Sequence, residues 1–238
     1  MEVLRKGAYE VVAREGVDNV LPMNLAPKPG KEPPWRLISN AMAVNAFVAL
    51  WSVRYETLKT VPLVVRKGDW LFSVDLTDAY HQWKMTEKSR RLFGHSLKLT
   101  QQQMRELEAA GLLPEAYEWD RGAELVTVFL RPVGLPMGFT NACAVFTKIS
   151  RVYVAKWRRE GKRCVHLLDD LMFAVSGSLE EACSVRDEVL ADLEALGALI
   201  NWRKSVLNPG KCLRFLGMLV DSLSYRFFVP ASKVQKLK

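Results

Sequence analysis

The sequence predicts an α+β fold with an antiparallel sheet, and three of its features support this prediction. Short apolar runs lie between turn residues, as buried strands do. Two longer segments carry apolar residues at helical spacing. One pair of apolar runs is separated by only two acidic residues, which indicates a hairpin and therefore antiparallel pairing.

The strand pattern is clearest around two groups of carboxylates. The run WLFSV, Trp70 to Val74, follows a Gly-Asp turn and ends at Asp75, so a carboxylate stands where the strand stops. The run from Cys164 to Leu168 ends in Asp169 and Asp170 and continues at once as LMFAV. This order predicts a hairpin with carboxylates at its tip.

Helices and further strands complete the pattern. Thr140 to Trp157 carries small and apolar residues at helical spacing, and Ser178 with Glu181 forms a capping box before an apolar stripe that stops at Gly197. Gln101 to Asp120 looks like a helical or irregular insertion. An exposed turn is predicted over PKPGKEPP, residues 27–34. The remaining strands are expected near Leu199 to Trp202, Leu213 to Val220 and Tyr225 to Val229.

Composition excludes several classes of protein. With 49% hydrophobic and 25% charged residues among 238, the chain has a globular rather than a disordered composition. Its four cysteines and three histidines show no zinc-ligand spacing. We find no signal-peptide or membrane-spanning pattern, so we expect no membrane partner and a location in cytoplasm or nucleus rather than secretion.

Positive charge is concentrated in blocks. The net charge is +8, and the last 38 residues hold eight Lys or Arg residues against a single acidic residue, Asp221. A second basic run lies between Arg151 and Arg163. Basic blocks fit a polyanionic partner because neutralising phosphates releases condensed counterions. A solvated face is the alternative, and charge alone does not decide between the two.

The carboxylates at the strand ends are candidate metal ligands. If the two strands pair in one sheet, Asp75 and Asp169 meet, and charge this concentrated calls for a cation. Oxygen ligands select Mg²⁺ or Mn²⁺, and two such ions about 4 Å apart would activate a hydroxyl and hold a leaving phosphate oxygen. The alternative is that these residues only form turns, which Asp favours. The spacing leaves both interpretations open.

Three motifs, in order, resemble those of reverse transcriptases, closest to the retroelement type. FSVDLTDAYHQ (72–82) resembles the first catalytic motif, GLPMGFTNA (134–142) the template- and nucleotide-positioning motif, and LLDD (167–170) the second catalytic motif. Weaker matches extend the resemblance over nearly the whole chain. They are KPG with WRLISNAMAVN for the fingers, LGALINWRKS for a lysine-bearing motif and LRFLGMLVD for the primer-gripping hairpin.

This resemblance implies a right-hand polymerase palm, an antiparallel sheet backed by two helices, with fingers inserted before and within it. The fingers are expected at 1–48 and 86–134. The palm is expected at 49–85 and, with the primer-grip hairpin, at 135–228. Residues 229–238 would only begin a thumb, so the thumb is expected to be essentially absent. A longer polyprotein would supply the thumb and an RNase H segment.

The resemblance also implies roles for individual residues. Asp75 and Asp169 would bind both metal ions with Asp170 beside them. Lys204 would protonate departing pyrophosphate, or else be a solvated lysine of the basic run. Tyr80 would be the steric gate against a ribose 2′-hydroxyl. The nucleotide would contact Lys28, Arg36, Asp78, Ala79, Tyr80, Met137 and Gly138, and the primer end would contact Phe215, Leu216 and Gly217.

The function predicted is therefore an RNA-directed DNA polymerase domain from a retrotransposon-derived polyprotein. Its partners would be an RNA or DNA template with its primer and a deoxynucleoside triphosphate. Two positions depart from the family pattern: Leu167 replaces a usual aromatic residue, and Met137 replaces a glutamine that is often found there. The alternatives are a catalytically inactive nucleic-acid-binding remnant of such an element and an unrelated α+β fold in which the Asp pair has no catalytic role.

Overall fold

The computed structural model describes residues 2–28 and 35–234, apart from the side chains of 232 and 233, and its residues cluster into two compact units. Unit 1 is formed by Met1–Trp51 and Tyr80–Ala142, and unit 2 by Ser52–Ala79 and Cys143–Lys238. Most of the predicted turn over 27–34 lies outside the described residues. The division of the chain into fingers, palm and thumb stays a prediction.

Short and long elements alternate irregularly along the chain. In order they are α1 (Glu2–Arg5), β1 (Tyr9–Val12), β2 (Met23–Pro27), β3 (Trp35–Ser39), α2 (Met42–Asn45), α3 (Val61–Val64), β4 (Trp70–Asp75), α4 (Glu87–Arg90), β5 (His95–Thr100), α5 (Gln101–Ala109), β6 (Leu125–Pro132), α6 (Ala142–Arg159), β7 (Arg163–Leu167), β8 (Asp170–Val175), α7 (Leu179–Ala195), β9 (Val206–Gly210), β10 (Cys212–Phe215), β11 (Met218–Asp221), β12 (Arg226–Phe228) and α8 (Ala231–Val234). Short 3₁₀ turns occupy Arg14–Gly16, Ala79–Gln82 and Arg91–Phe93.

Unit 1 contains an antiparallel sheet, β1-β6-β5, and the β2-β3 hairpin. Met104 and Leu107 of α5 pack in one apolar cluster with Val128 of β6. Helix α5 begins at a capping box, in which Thr100 and Gln103 each accept a hydrogen bond from the other's backbone N–H. The segment from Gln101 to Asp120, expected to be helical or irregular, therefore begins as a helix that ends at Ala109.

Unit 2 is built on a four-stranded antiparallel sheet in the order β7-β8-β4-β9. The rings of Phe72 and Phe173 stack 4.9 Å apart on one face of it, and Trp157 of α6 meets Phe173 edge-on. Helix α7 contacts β4, β8 and β9. The Trp157 indole N–H donates to Asp192 and so ties α6 to α7. Two helices thus back this sheet, as expected.

The other face of the same sheet carries a second core. The side chains of successive strand residues point to opposite faces of the sheet. Phe72 points toward the helices, and Leu71 therefore points away from them. Leu71 packs with Met172 of β8 and with Leu213 of the antiparallel sheet β10-β11-β12. Asp75 has the same strand parity as Leu71 and projects from the face opposite the helices.

The predicted α+β fold, with an antiparallel sheet backed by two helices, is confirmed, whereas one of the predicted strands is wrong. The expected strand at 199–202 is reduced to an isolated bridge between Ile200 and Leu76. The strand that pairs with β4 in this region is β9, which the sequence pattern missed because its two apolar residues are followed at once by the turn-forming residues Asn208, Pro209 and Gly210. Among the described residues, no helix is long and apolar enough to cross a membrane.

Asp69 fixes the start of β4. Its side chain is fully buried and accepts hydrogen bonds from the Arg163 guanidinium at 2.6 and 2.8 Å, from Ser176 Oγ at 2.7 Å and from the Arg66 N–H at 2.6 Å. Burial raises the pKa of this carboxyl, but the donors outweigh burial and the net pKa lies below its usual range. Asp69 is therefore charged in the folded protein and holds β4 to β7.

Replacing Asp69 should destabilise unit 2. Asp69→Ala leaves the Arg163 guanidinium without its carboxylate, and we expect the free energy of unfolding to fall by about 3 kcal/mol. Asp187→Ala removes an exposed partner of Arg186 and should change it by less than about 0.5 kcal/mol. Urea denaturation at pH 7 measures both variants.

The stability that Asp69 contributes should depend on pH and should be mostly lost in acid. Because the pKa of Asp69 is lower in the folded than in the unfolded chain, its stabilising contribution is present above about pH 4 and is lost as the pH falls through the lowered folded value. The difference in the free energy of unfolding between wild type and Asp69→Ala should become smaller on acidification. A gap of constant size from pH 7 to pH 3 would contradict this assignment.

Candidate active site

Asp75 and Asp170 face each other across two central strands. The register of β4 and β8 pairs Asp75 directly with Asp170, with Val74 opposite Leu171 beside them. Directly opposed residues of an antiparallel pair have Cβ atoms about 5 Å apart on the same face. The strand pairing therefore brings together two carboxylates that are 95 positions apart in the sequence.

Asp169 lies in the turn that joins β7 to β8. Leu167 pairs with Asp170, so Leu168 and Asp169 form a two-residue hairpin loop. Leu168 adopts φ 53°, a conformation that side chains other than glycine rarely adopt. The Leu76 N–H donates to the Asp169 carbonyl at 3.2 Å and holds the turn against the end of β4. The sequence pattern put both carboxylates at the tip, whereas Asp170 is the first residue of β8.

The backbone of Asp75 is held by two residues that the sequence analysis did not single out. Ser205 Oγ accepts a hydrogen bond from the Asp75 N–H at 3.0 Å and donates to the Asn201 carbonyl at 2.8 Å. The Asn201 N–H donates to the Asp75 carbonyl at 2.8 Å. Both lie in the segment that resembles the lysine-bearing motif, and only the resemblance could have drawn attention to them.

Lys204 reaches the same carboxylate. Its Nζ lies 3.1 Å from Oδ1 and 3.2 Å from Oδ2 of Asp75. Asp75 is buried, whereas the Lys204 side chain is 45% exposed. The structure thus brings four of the predicted residues into one cluster, and it makes Lys204 part of an ion pair rather than a lysine that contacts only solvent.

The Asp170 carboxyl is partly buried and has like charges beside it, and both conditions raise its pKa. Burial raises its pKa to about 6, and the charges of Asp169 and Asp75 act in the same direction, while Lys204 opposes them. The cluster therefore disfavours full ionisation, and a cation beside it would relieve the repulsion.

The residues fit a divalent metal ion in donor type and charge. Carboxylate oxygens are the ligands that Mg²⁺ and Mn²⁺ prefer. Within residues 2–28 and 35–234, no group of three or more His, Cys, Asp or Glu side chains is already arranged as a metal site. Asp75 instead directs both of its oxygens at Lys204.

Hydrogen bonds within unit 1 hold the backbone of the motif at 134–142, which is called the middle motif because it lies between the two catalytic motifs in the sequence. The Ser39 N–H at the end of β3 donates to the Met137 carbonyl at 2.8 Å. Asn45 donates to the Gly138 carbonyl at 3.0 Å and accepts from the Thr140 N–H at 3.0 Å. Gly138 has φ 106°, and a Cβ there would overlap the Ser39 carbonyl oxygen, so this position requires glycine.

The comparison with known proteins gives the family. A family model described as "Reverse transcriptase (RNA-dependent DNA polymerase)" matches residues 27–220. The chain belongs to the reverse transcriptase family. Members of this family use divalent metal ions, in agreement with the donor set described above. No curated protein sequence matches the chain.

Solved reverse transcriptases show the same fold. The foamy viral protease-reverse transcriptase dRH in complex with double-stranded DNA is 17% identical at a TM-score of 0.72, and the match covers 99% of this chain and 34% of that one. The foamy viral protease-reverse transcriptase in complex with an RNA/DNA hybrid is 17% identical at a TM-score of 0.67, and the match covers 99% and 27%. The chain spans about a third of the length of the first of these proteins.

The remaining residues with roles implied by the reverse transcriptase motifs are distributed over both units. Arg36 is an exposed residue of β3, and Lys28 follows directly after its partner strand β2. Asp78 adopts φ 47° before the 3₁₀ turn that contains Ala79 and Tyr80. The Tyr80 carbonyl accepts a hydrogen bond from the Leu135 N–H at 3.0 Å, which links the first motif to the middle one within unit 1.

The predicted primer grip is a hairpin turn. The strand expected at 213–220 is two strands, β10 and β11, because Leu216 (φ 47°) and Gly217 (φ 78°) reverse the chain. Phe215 is buried in the apolar core that includes Leu213, so its ring anchors the hairpin by packing in that core. The turn residues Leu216 and Gly217 are partly exposed, and Arg214 beside them is exposed.

Gly138→Ala should lower the free energy of unfolding by more than the strain of a positive φ angle accounts for. In Gly111→Ala only the conformational strain at φ 63° applies, because no atom lies within 4 Å of the new Cβ, and we expect a loss of about 1 kcal/mol in the free energy of unfolding. Gly138→Ala adds the overlap with Ser39 and should lose about 2 kcal/mol more. Both glycines lie in unit 1, and chemical denaturation compares them. Equal losses would show that the close approach to Ser39 is unimportant.

Proposed function

We propose that this chain is an RNA-directed DNA polymerase domain that transfers deoxynucleotides to a primer 3′-hydroxyl. The observation that carries the proposal is the pairing of Asp75 with Asp170 on neighbouring strands, with Asp169 in the adjoining hairpin turn, in a chain whose family is reverse transcriptase. Positioning and charge neutralisation provide most of the catalysis in phosphoryl transfer. A rigid carboxylate cluster at a strand end is suited to that task.

In this proposal Asp75, Asp169 and Asp170 hold Mg²⁺, with Mn²⁺ as the alternative ion. Bound divalent ions would activate the primer hydroxyl and neutralise the charge that develops on the leaving pyrophosphate. The chain itself fixes the carboxylates through Ser205 and the hairpin turn. We propose Lys204 as the donor of a proton to pyrophosphate, supported by its position at Asp75.

The nucleotide contacts are part of the same proposal. Lys28 and Arg36 would bind the β- and γ-phosphates, and the N–H groups of Asp78 and Ala79 would bind the triphosphate. Tyr80 would exclude a ribose 2′-hydroxyl. Met137 and Gly138 would contact the nucleotide through backbone whose carbonyl groups accept hydrogen bonds from Ser39 and Asn45. Phe215, Leu216 and Gly217 would lie at the primer end.

The proposed partners are an RNA or DNA template with its primer and a deoxynucleoside triphosphate. Solved relatives of this fold are complexes with double-stranded DNA and with an RNA/DNA hybrid, which supports a nucleic-acid partner here. The basic blocks of the sequence agree with it. We also propose a retrotransposon-derived polyprotein as the source, with thumb and RNase H segments supplied by other parts of it.

Primer extension on poly(rA)/oligo(dT) with Mg²⁺ or Mn²⁺ tests the proposal. Asp169→Asn keeps the size of the side chain but removes its charge, and we expect it to reduce extension by about 100-fold or more. Asp187→Asn makes the same change at an exposed position of α7 and should leave extension within about twofold. Equal activity of wild type and Asp169→Asn would contradict the assignment.

The inactive remnant is the competing function, and Leu167 favours it. This residue stands directly opposite Asp170 in the β7-β8 pair, where the family pattern has an aromatic ring. The remnant would bind primer-template with an affinity that falls steeply with salt and would not extend it. If both the 238-residue chain and a polypeptide that continues beyond Lys238 bind without extending, the remnant replaces the polymerase.

A further inference from the structure

The ion pair between Lys204 and Asp75 has an unusual setting. The ammonium lies within hydrogen-bond distance of both carboxylate oxygens of Asp75, and that carboxylate is buried and directly opposite Asp170. Lys204 thus supplies positive charge at the point where negative charge is most crowded. It occupies the two oxygens that Asp75 would offer to a metal ion.

A divalent ion and the ammonium compete for these oxygens. Magnesium binds carboxylate oxygens at about 2.1 Å, far closer than the ammonium contact, and two cations on one carboxylate repel each other. A metal ion bound to Asp75 therefore weakens the hold of Asp75 on Lys204. Each of the two cations relieves the repulsion among the carboxylates in the absence of the other.

The local backbone allows the lysine side chain to leave. The Lys204 N–H donates to the Asn201 carbonyl at 3.1 Å, and the neighbouring Ser205 is bonded to Asp75, so the turn is fixed at the end of β4. The Lys204 side chain is 45% exposed and projects from this fixed turn. Its departure into solvent requires rotation of side-chain bonds and no movement of the strands.

We propose that Lys204 is a placeholder cation, which holds Asp75 in the metal-free protein and is released from it when a divalent metal ion binds. The inference rests on the proposed function, since it assumes that Asp75 is a metal ligand. It adds a coupling that the proposed function does not contain: binding of the metal frees the ammonium that is proposed to protonate pyrophosphate. The amino group would become available only once the metal site is filled.

This role and a merely structural role predict opposite effects on metal affinity. If Lys204 only supports the fold around Asp75, its removal loosens the site and weakens metal binding. If Lys204 competes with the metal, its removal leaves the carboxylate repulsion unrelieved and strengthens metal binding. An exposed ion pair contributes modestly, so we expect an increase in affinity of up to about fivefold.

The effect is measured as the affinity of the full 238-residue chain for Mn²⁺. Electron paramagnetic resonance detects binding as a loss of the signal from free Mn²⁺. The variants are Lys204→Met, which keeps the length of the side chain without its charge, and Lys204→Arg, which restores a cation. Arg203→Met is the matched control because it removes one charge from the adjacent exposed residue. Asp75→Asn identifies the site.

Tighter Mn²⁺ binding by Lys204→Met, with Arg203→Met and Lys204→Arg close to wild type and Asp75→Asn weaker, is the expected result. Unchanged or weaker binding by Lys204→Met, at a site where Asp75→Asn still weakens binding, would overturn the placeholder role and leave the proposed metal site intact. Absence of Mn²⁺ binding to wild type and Lys204→Met alike would overturn the metal site itself, and the placeholder role with it. Thermal unfolding with and without Mn²⁺ checks that each variant is folded.

Discussion

The pairing of β4 with β8 in one register is the constraint on which the candidate site depends. A shift of one residue would turn Asp75 to the helix-packed face of the sheet and bury a carboxylate among aromatic rings. The stacking of Phe72 with Phe173 and the packing of Leu71 with Met172 on the opposite face both fix this register. Hydrophobic packing therefore imposes a like-charge pair at the end of the sheet.

That imposed repulsion explains the polar groups around the strand ends. Ser205 and Asn201 bind the backbone of Asp75, so the carboxylate cannot withdraw by local unravelling of β4. Lys204 then supplies a cation at the side chain. At the other end of β4, Asp69 is buried in a fully bonded ion pair with Arg163. Both ends of the strand are thus fixed by polar contacts, and its middle is fixed by the apolar core.

Periodicity and turn residues were sufficient to predict the central elements of unit 2. The capping box at Ser178, the apolar run at Trp70 and the paired runs around Asp169 each carry a local signal. Strand β9 carries none, since its pairing with β4 comes from tertiary contact and its own residues read as a turn. The strand ends alone indicated a metal site at Asp75 and Asp169 and left the turn interpretation open, whereas the roles predicted for Lys204, for the nucleotide contacts and for the primer grip came from the resemblance. The contact of Lys204 with Asp75 spans 129 positions and has no sequence pattern that could reveal it.

A double-mutant cycle in the absence of metal ions tests the central claim, that Asp75 and Asp170 repel each other across the sheet. With EDTA present, Asp170→Asn should raise the free energy of unfolding by about 1 kcal/mol in the wild-type background. In the Asp75→Asn background the gain should be smaller by about 0.5 kcal/mol or more, because the repelling charge has been removed. The same change in both backgrounds would show that the two carboxylates do not interact and would contradict the account.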